Sequence, residues 1–153
     1  MALGAVLLPT GNAAGTMGGS YVDGDVMGTI STLTSAFSSS GGSGVVEKIG
    51  VYDDTDTLLA FDLYVASQSV TQAADSAVFA PSDADNRLYV ARFQFQTPQD
   101  VGGARQVFWN GSENIWNTAA NTSMYVTMVA RATMAGAITT GGIKLIFAVR
   151  QDQ

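Results

Sequence analysis

The chain has 153 residues with no histidine and no cysteine, and its 13 acidic and 7 basic residues give a net charge of −6. Catalysis near neutral pH relies heavily on histidine and cysteine, so this composition disfavours an enzyme, and we expect no catalytic residues, cofactor or metal ion. The negative charge disfavours binding to nucleic acid or to an anionic membrane. The length fits one domain of about 100–200 residues.

The first 19 residues differ from the rest of the chain in being rich in glycine and alanine. We therefore predict a flexible or extended N-terminal arm over residues 1–19 and a folded domain over residues 20–153. No basic start precedes a long apolar stretch, so a cleaved secretion signal is not expected. The arm is either a disordered start or a segment that docks on a neighbouring subunit through its apolar cluster, Leu3, Val6, Leu7 and Leu8.

The next segments favour extended structure. Residues 26–37 are ambiguous, because three of their apolar residues have helical spacing, but their β-branched threonines favour a strand. Residues 45–52 are rich in valine and isoleucine and are also a predicted strand. In residues 58–65, apolar side chains alternate as in a strand with one buried face. The polar residues 53–57 suit a turn that would join the last two strands as a hairpin.

The second half continues the same pattern. Residues 87–96, residues 124–133 and Ile143–Gln151 alternate between apolar and polar positions and are predicted strands. The dipeptide Asn110-Gly111 predicts a tight type I′ turn between residues 107–109 and residues 112–116. About seven or eight strands result, which predicts an all-β fold, an antiparallel β-sandwich of the jelly-roll kind.

Two groups of side chains are candidates for binding. Three acidic clusters, around Asp25, Asp53 and Asp85, have oxygen ligands suited to Ca²⁺, but none has a complete ligand loop, so ordinary turn chemistry is favoured. Trp109 and Trp116 flank the Asn-Gly dipeptide and are candidates for an interface, although burial in the core is the usual place of a tryptophan.

The region from Tyr21 to Asp83 resembles the small virion proteins of tailed bacteriophages that coat or cement the phage head. The residues that carry the resemblance are 21–28, 42–44, 51–53, 61–64, 74–79 and 82–83. The resemblance implies a protein that decorates the capsid surface, made in the cytoplasm of the host bacterium.

Its expected partners are the major capsid protein and other copies of itself, as a dimer or trimer, since capsid lattices offer two-fold and three-fold positions. Two alternatives stay open: a tail or head–tail accessory module, including one that binds a carbohydrate receptor, and a glycosidase that uses two of the many aspartates.

Overall fold

A computed structural model describes residues 5–9, 20–116, 120–138 and 142–151. These ranges contain nine strands and one short helix. In chain order they are β1 Ala5–Pro9, β2 Val26–Leu33, β3 Ser43–Asp53, β4 Phe61–Ala66, α1 Asp83–Asn86, β5 Tyr89–Phe95, β6 Gln99–Asp100, β7 Arg105–Trp116, β8 Met124–Ala130 and β9 Ile143–Gln151.

The strands form two antiparallel sheets that pack face to face. One sheet has the order β1-β9-β3-β7-β6 and the other the order β2-β8-β4-β5. Apart from the two-residue β6, this is the strand order of a jelly roll, in which most successive strands alternate between the two sheets. The prediction of an all-β, jelly-roll sandwich is confirmed.

The core lies between the sheets and is built by the alternation seen in the sequence. In β4, Phe61, Leu63 and Val65 are fully buried, and the Phe61 ring stacks on Phe95 of β5 with 4.8 Å between ring centroids. A stacked aromatic pair adds about 0.5–1.5 kcal/mol to the free energy gained by burying its area. The other sheet contributes inward side chains from three strands, among them Val46, Ile49, Val51, Ile115, Ile143, Leu145, Phe147 and Val149.

The sequence does not predict β1, which lies within the residues assigned to the N-terminal arm. The backbone of Ala5–Pro9 pairs antiparallel with β9, so that Val6 stands opposite Val149 and Leu8 opposite Phe147. This part of the arm is thus an edge strand of the five-stranded sheet. The pairing is between distant parts of the chain, which a local pattern cannot report.

The predicted hairpin through residues 53–57 is wrong, because β3 and β4 belong to different sheets. The Asp53 carboxylate is fully buried and accepts hydrogen bonds from the backbone N–H groups of Thr55, Thr57 and Leu58 at 2.8, 2.8 and 2.7 Å. These bonds hold a wide loop that carries the chain across to the second sheet, and β4 begins only at Phe61.

The predicted turn at Asn110-Gly111 is also wrong, because β7 runs without a break through both residues. A type I′ turn requires positive φ at both central residues, and neither residue has it. The eleven-residue strand β3 gives β7 a continuous partner. Gly111 and Ser112 instead form a bulge, two residues opposite the single residue Glu47 of β3.

The connection between β4 and β5, residues 67–88, folds over the outer face of the four-stranded sheet. Thr127 of β8 donates a hydrogen bond to the Gln72 side chain at 2.9 Å, and Gln72 in turn donates to the Gly28 carbonyl at 2.9 Å. The Asp75 carboxylate accepts bonds from the Tyr21 hydroxyl and the Gly28 N–H. This cover belongs to one sheet, and it leaves the two outer faces of the sandwich with different surfaces.

Candidate functional site

The outer face of the five-stranded sheet has a hollow that follows from the strand register. Phe108 of β7, Gly50 of β3 and Ile146 of β9 stand side by side across three strands. Since the middle position is a glycine, the row lacks a side chain at its centre. The neighbours of Gly50 along the strand, Lys48 and Tyr52, close the two ends of the gap.

The hollow has a volume of about 160 Å³ and is mainly apolar, lined by Lys48, Gly50, Tyr52, Ile146 and Ala148. Tyr52 and Phe108 meet edge to face with 5.8 Å between ring centroids. A Cβ atom added at Gly50 would lie 3.2 Å from the Tyr52 ring and 3.4 Å from the Phe108 ring, so the glycine makes room for both. We name Lys48, Gly50, Tyr52, Phe108, Ile146 and Ala148 the aromatic face.

A cation stands at the rim of the aromatic face. The Lys48 ammonium lies 4.8 Å from the centre of the Phe108 ring, and in the described ranges it forms no ion pair. Phe108 is 41% exposed, which is high for so large an apolar side chain. An apolar hollow beside an unpaired cation suits a partner surface on which an apolar side chain and a carboxylate lie next to each other.

The two tryptophans of the predicted interface have different surroundings. Trp109 points inward, packs against the core and meets the Phe93 ring edge to face with 4.7 Å between ring centroids. Trp116, at the end of β7, is 67% exposed. Only Trp116 therefore offers a large surface to a partner. Leu3 lies outside the described residues, and Val6, Leu7 and Leu8 are placed in β1 by their backbone alone.

Carboxylates of the acidic clusters accept hydrogen bonds that stabilise turns and loops, as the sequence predicts. Asp53 holds the loop already described, and Asp25 accepts a hydrogen bond from the Val22 N–H at 2.9 Å. Hydrogen bonds from the Ser82 hydroxyl and the Thr71 N–H lower the pKa of Asp85. Among the residues that the structure describes, no group of three or more acidic side chains is arranged to hold a metal ion.

The opposite outer face holds an ionic cluster that sequence reasoning missed. The Asp62 side chain, on β4, is 2% exposed, and one of its oxygens, Oδ2, lies 2.6 Å from Arg92 Nη2 and 2.5 Å from Arg131 Nε. Arg131 also donates to the Tyr64 hydroxyl at 3.1 Å. The hydrogen bond with Asp62 raises the pKa of Arg131. We name Asp62, Arg92 and Arg131 the arginine cluster.

Aromatic rings pack beside the arginine cluster. Tyr64 contacts Phe79 of the covering connection and Tyr89 of β5, with ring centroids 4.6 and 5.7 Å apart. The Arg92 guanidinium lies 5.5 Å from the centre of the Tyr64 ring. Burial raises the pKa of Tyr89. These rings anchor the connection, and the Tyr64 ring holds the Arg92 guanidinium from one side.

No known family model matches this chain, and no curated protein matches its sequence. In the described ranges, no helix has the length and hydropathy needed to cross a membrane. What the geometry defines is a jelly-roll sandwich with an open aromatic face on one side and an arginine cluster on the other. Jelly rolls serve many unrelated functions, among them viral capsid and lectin domains, so the function has to be argued from these surfaces.

Proposed function

We propose that the protein is a non-enzymatic structural protein of a tailed-bacteriophage virion that decorates the capsid surface and stabilises it by binding major capsid protein subunits. Its resemblance to head-coating virion proteins suggests this role, and the jelly-roll fold is compatible with it. The observation that carries the proposal is the aromatic face, an apolar hollow on the outer side of the five-stranded sheet with the exposed Phe108 ring beside it.

The aromatic face has the features of a protein-binding surface. Phe108 and Tyr52 supply aromatic area, the hollow above Gly50 accepts a side chain of the partner, and the Lys48 ammonium selects a carboxylate beside it. Interface hot spots combine aromatic anchors with well-packed pockets. A stable interface buries about 800 Å² on each partner, so surrounding surface has to join the aromatic face in contact.

Repetition strengthens such a contact. We propose that the protein acts as a dimer or trimer at the symmetry positions of the capsid, where several modest contacts reinforce one another. Sedimentation of the purified protein tests the assembly state. A protein that stays monomeric both in solution and on the virion would contradict this part of the proposal.

The main test uses virions that lack the protein and are then saturated with purified protein. We expect the wild-type protein to bind them and to raise the temperature at which they release DNA. Tyr52→Ala combined with Phe108→Ala should weaken binding at least tenfold. Val78→Ser changes another exposed apolar residue, 67% exposed and outside the aromatic face, and is the matched control. Equal binding by the double variant and the control would overturn the role of the aromatic face.

A second function, a tail or head–tail module that binds a carbohydrate receptor, is favoured by one observation. Two aromatic rings beside a shallow hollow, as at Tyr52 and Phe108, suit stacking against the apolar face of a sugar. Glycan-array binding by the isolated protein, lost on Tyr52→Ala, would support this function. Labelling of the tail instead of the head in electron micrographs of virions would support the tail location.

A further inference from the structure

The arginine cluster has unused hydrogen-bonding capacity. Arg92 donates to Asp62 through Nε and Nη2, and Arg131 donates to Asp62 through Nε and to Tyr64 through Nη2. A guanidinium has five N–H donors. Within the described residues, the Nη1 group of each arginine donates to no protein acceptor, so both guanidinium groups keep donors for a further ligand.

The charge of the cluster also favours an anion. Two guanidinium groups share a single carboxylate that is almost fully buried. The charge of Asp23 also raises the pKa of Arg131, but Asp23 forms no ion pair with Arg131 in the described structure. The arginine side chains are 43% and 35% exposed, so their free edges reach solvent while Asp62 holds them in place. Such a preorganised pair loses little conformational entropy when it binds.

The cluster lies in a cleft large enough for a small ligand. The cleft has a volume of about 420 Å³ and is lined by Ala60, Asp62, Arg92, Gln94, Phe95, Gln96 and Arg131. Gln94 and Gln96 are exposed, and their amides both donate and accept hydrogen bonds. Amides of this kind suit the hydroxyl groups of a sugar.

We propose that this cleft binds a sugar acid, with the ligand carboxylate on Arg92 and Arg131 and its hydroxyl groups on Gln94 and Gln96. A planar carboxylate fits the fork of a guanidinium. This site is on the sheet opposite the aromatic face and does not depend on the function proposed for that face.

Binding of glucuronate to the full chain tests the proposal, by calorimetry and by the NMR signals of the arginine Nε–H groups. We expect glucuronate to shift the Arg92 and Arg131 signals, and to bind at least tenfold more tightly than glucose, which lacks the carboxylate, and than acetate, which lacks the hydroxyl groups. Equal affinity for glucuronate and acetate would overturn the sugar part of the proposal. Tighter binding of a glutamate-containing peptide than of glucuronate would overturn it in favour of a protein ligand.

Variants of Arg131 test whether glucuronate binds in this cleft. Arg131→Gln should weaken glucuronate binding at least tenfold, and Arg92 remains to pair with Asp62 and keep the fold. Arg131→Lys keeps the positive charge but loses the forked guanidinium, and it should weaken glucuronate binding by a smaller factor. Arg87→Gln removes an exposed arginine outside the cleft and is the control. Wild-type affinity in both Arg131 variants would overturn the assignment, and the Arg131→Lys variant keeps the test valid if Arg131→Gln does not fold.

Discussion

The two outer faces of the sandwich are built in different ways although the inner faces follow one rule. On the five-stranded sheet, aromatic rings and a glycine leave an open hollow. On the four-stranded sheet, a long connection covers part of the surface, and the arginine cluster lines a cleft on the same face. Alternation along a strand decides which side chains enter the core, whereas the surface of each outer face depends on which residues of neighbouring strands stand beside one another. The surfaces proposed for binding therefore result from the pairing of strands and not from alternation along any one strand.

The largest expected effect is on the arginine cluster. Asp62→Ala removes the carboxylate that both arginines share, and we expect it to lower the free energy of unfolding by about 1.5–3 kcal/mol, the range for hydrogen bonds to charged groups. Urea unfolding measures this. Asp54→Ala is the control, because it breaks an ion pair with Lys144 in which both side chains are more than half exposed, and it should cost no more than about 0.5 kcal/mol. Equal losses in the two variants would mean that the arginine cluster adds no stability.

The next effect concerns β7, the strand that carries Phe108. A Cβ atom at Gly111 would lie 2.6 Å from the Trp109 ring, so Gly111→Ala has to displace this ring from its place against Phe93. We expect a loss of about 1–3 kcal/mol, as in other overpacked sites, together with a shift in tryptophan fluorescence. Trp116→Ala, at an exposed position of the same strand, should change stability by no more than about 0.5 kcal/mol. Unchanged stability and fluorescence in Gly111→Ala would show that the inward packing of Trp109 does not stabilise β7.

A smaller change in stability is expected on the aromatic face. Gly50→Ala places a Cβ atom 3.2 Å from the edge of the Tyr52 ring, which can tilt to make room. Stability should fall by less than about 1 kcal/mol, because the half-buried Tyr52 ring lies on the outer face and can move without opening the core. Capsid binding should nevertheless weaken at least tenfold, since the hollow is filled. Wild-type binding by a folded Gly50→Ala protein would separate the hollow from the binding function.

The smallest effect is a pH dependence in the connection that covers the outer face of the four-stranded sheet. The pKa of Asp85 is lowered from 3.8 by the Ser82 hydroxyl and then by the Thr71 N–H. Because the folded-state pKa is the lower one, the stabilisation is complete above pH 3.8 and is lost as the pH falls through the folded-state value. Ser82→Ala should raise the pKa of Asp85 toward 3.8, as measured by NMR titration of the carboxyl carbon. An unchanged titration in this variant would contradict the assigned cause.

Local patterns in the sequence predict the fold class but not the pairing of strands. The alternation of Phe61, Leu63 and Val65 correctly gives a strand with one buried face, whereas Asn110-Gly111 suggests a turn where a long partner strand keeps the chain in one continuous strand. Turn propensity is a local preference of modest size, and the eleven-residue partner β3 overrides it.

The surfaces proposed for binding are even less visible in the sequence. Asp62 is 30 positions from Arg92 and 69 positions from Arg131, and only the order of the strands brings the three together. Gly50 forms a hollow because Phe108 and Ile146 stand beside it in neighbouring strands. Exposed Trp116 was among the predicted interface residues, but no sequence signal distinguishes it from the inward-facing Trp109.

The bulge at Gly111 and Ser112 has a consequence for the behaviour of the protein at high concentration. Strand β6 pairs only with Arg105 and Gln106, and no other described strand pairs with β7 along that side. A straight, unpaired edge of this length is a template for edge-to-edge pairing with another chain, which leads to aggregation. The bulge bends β7 near its middle and interrupts the regular row of N–H and C=O groups. Gly111, whose missing Cβ leaves room for the Trp109 ring, thus also lies in the bulge that makes this edge a poor template for pairing.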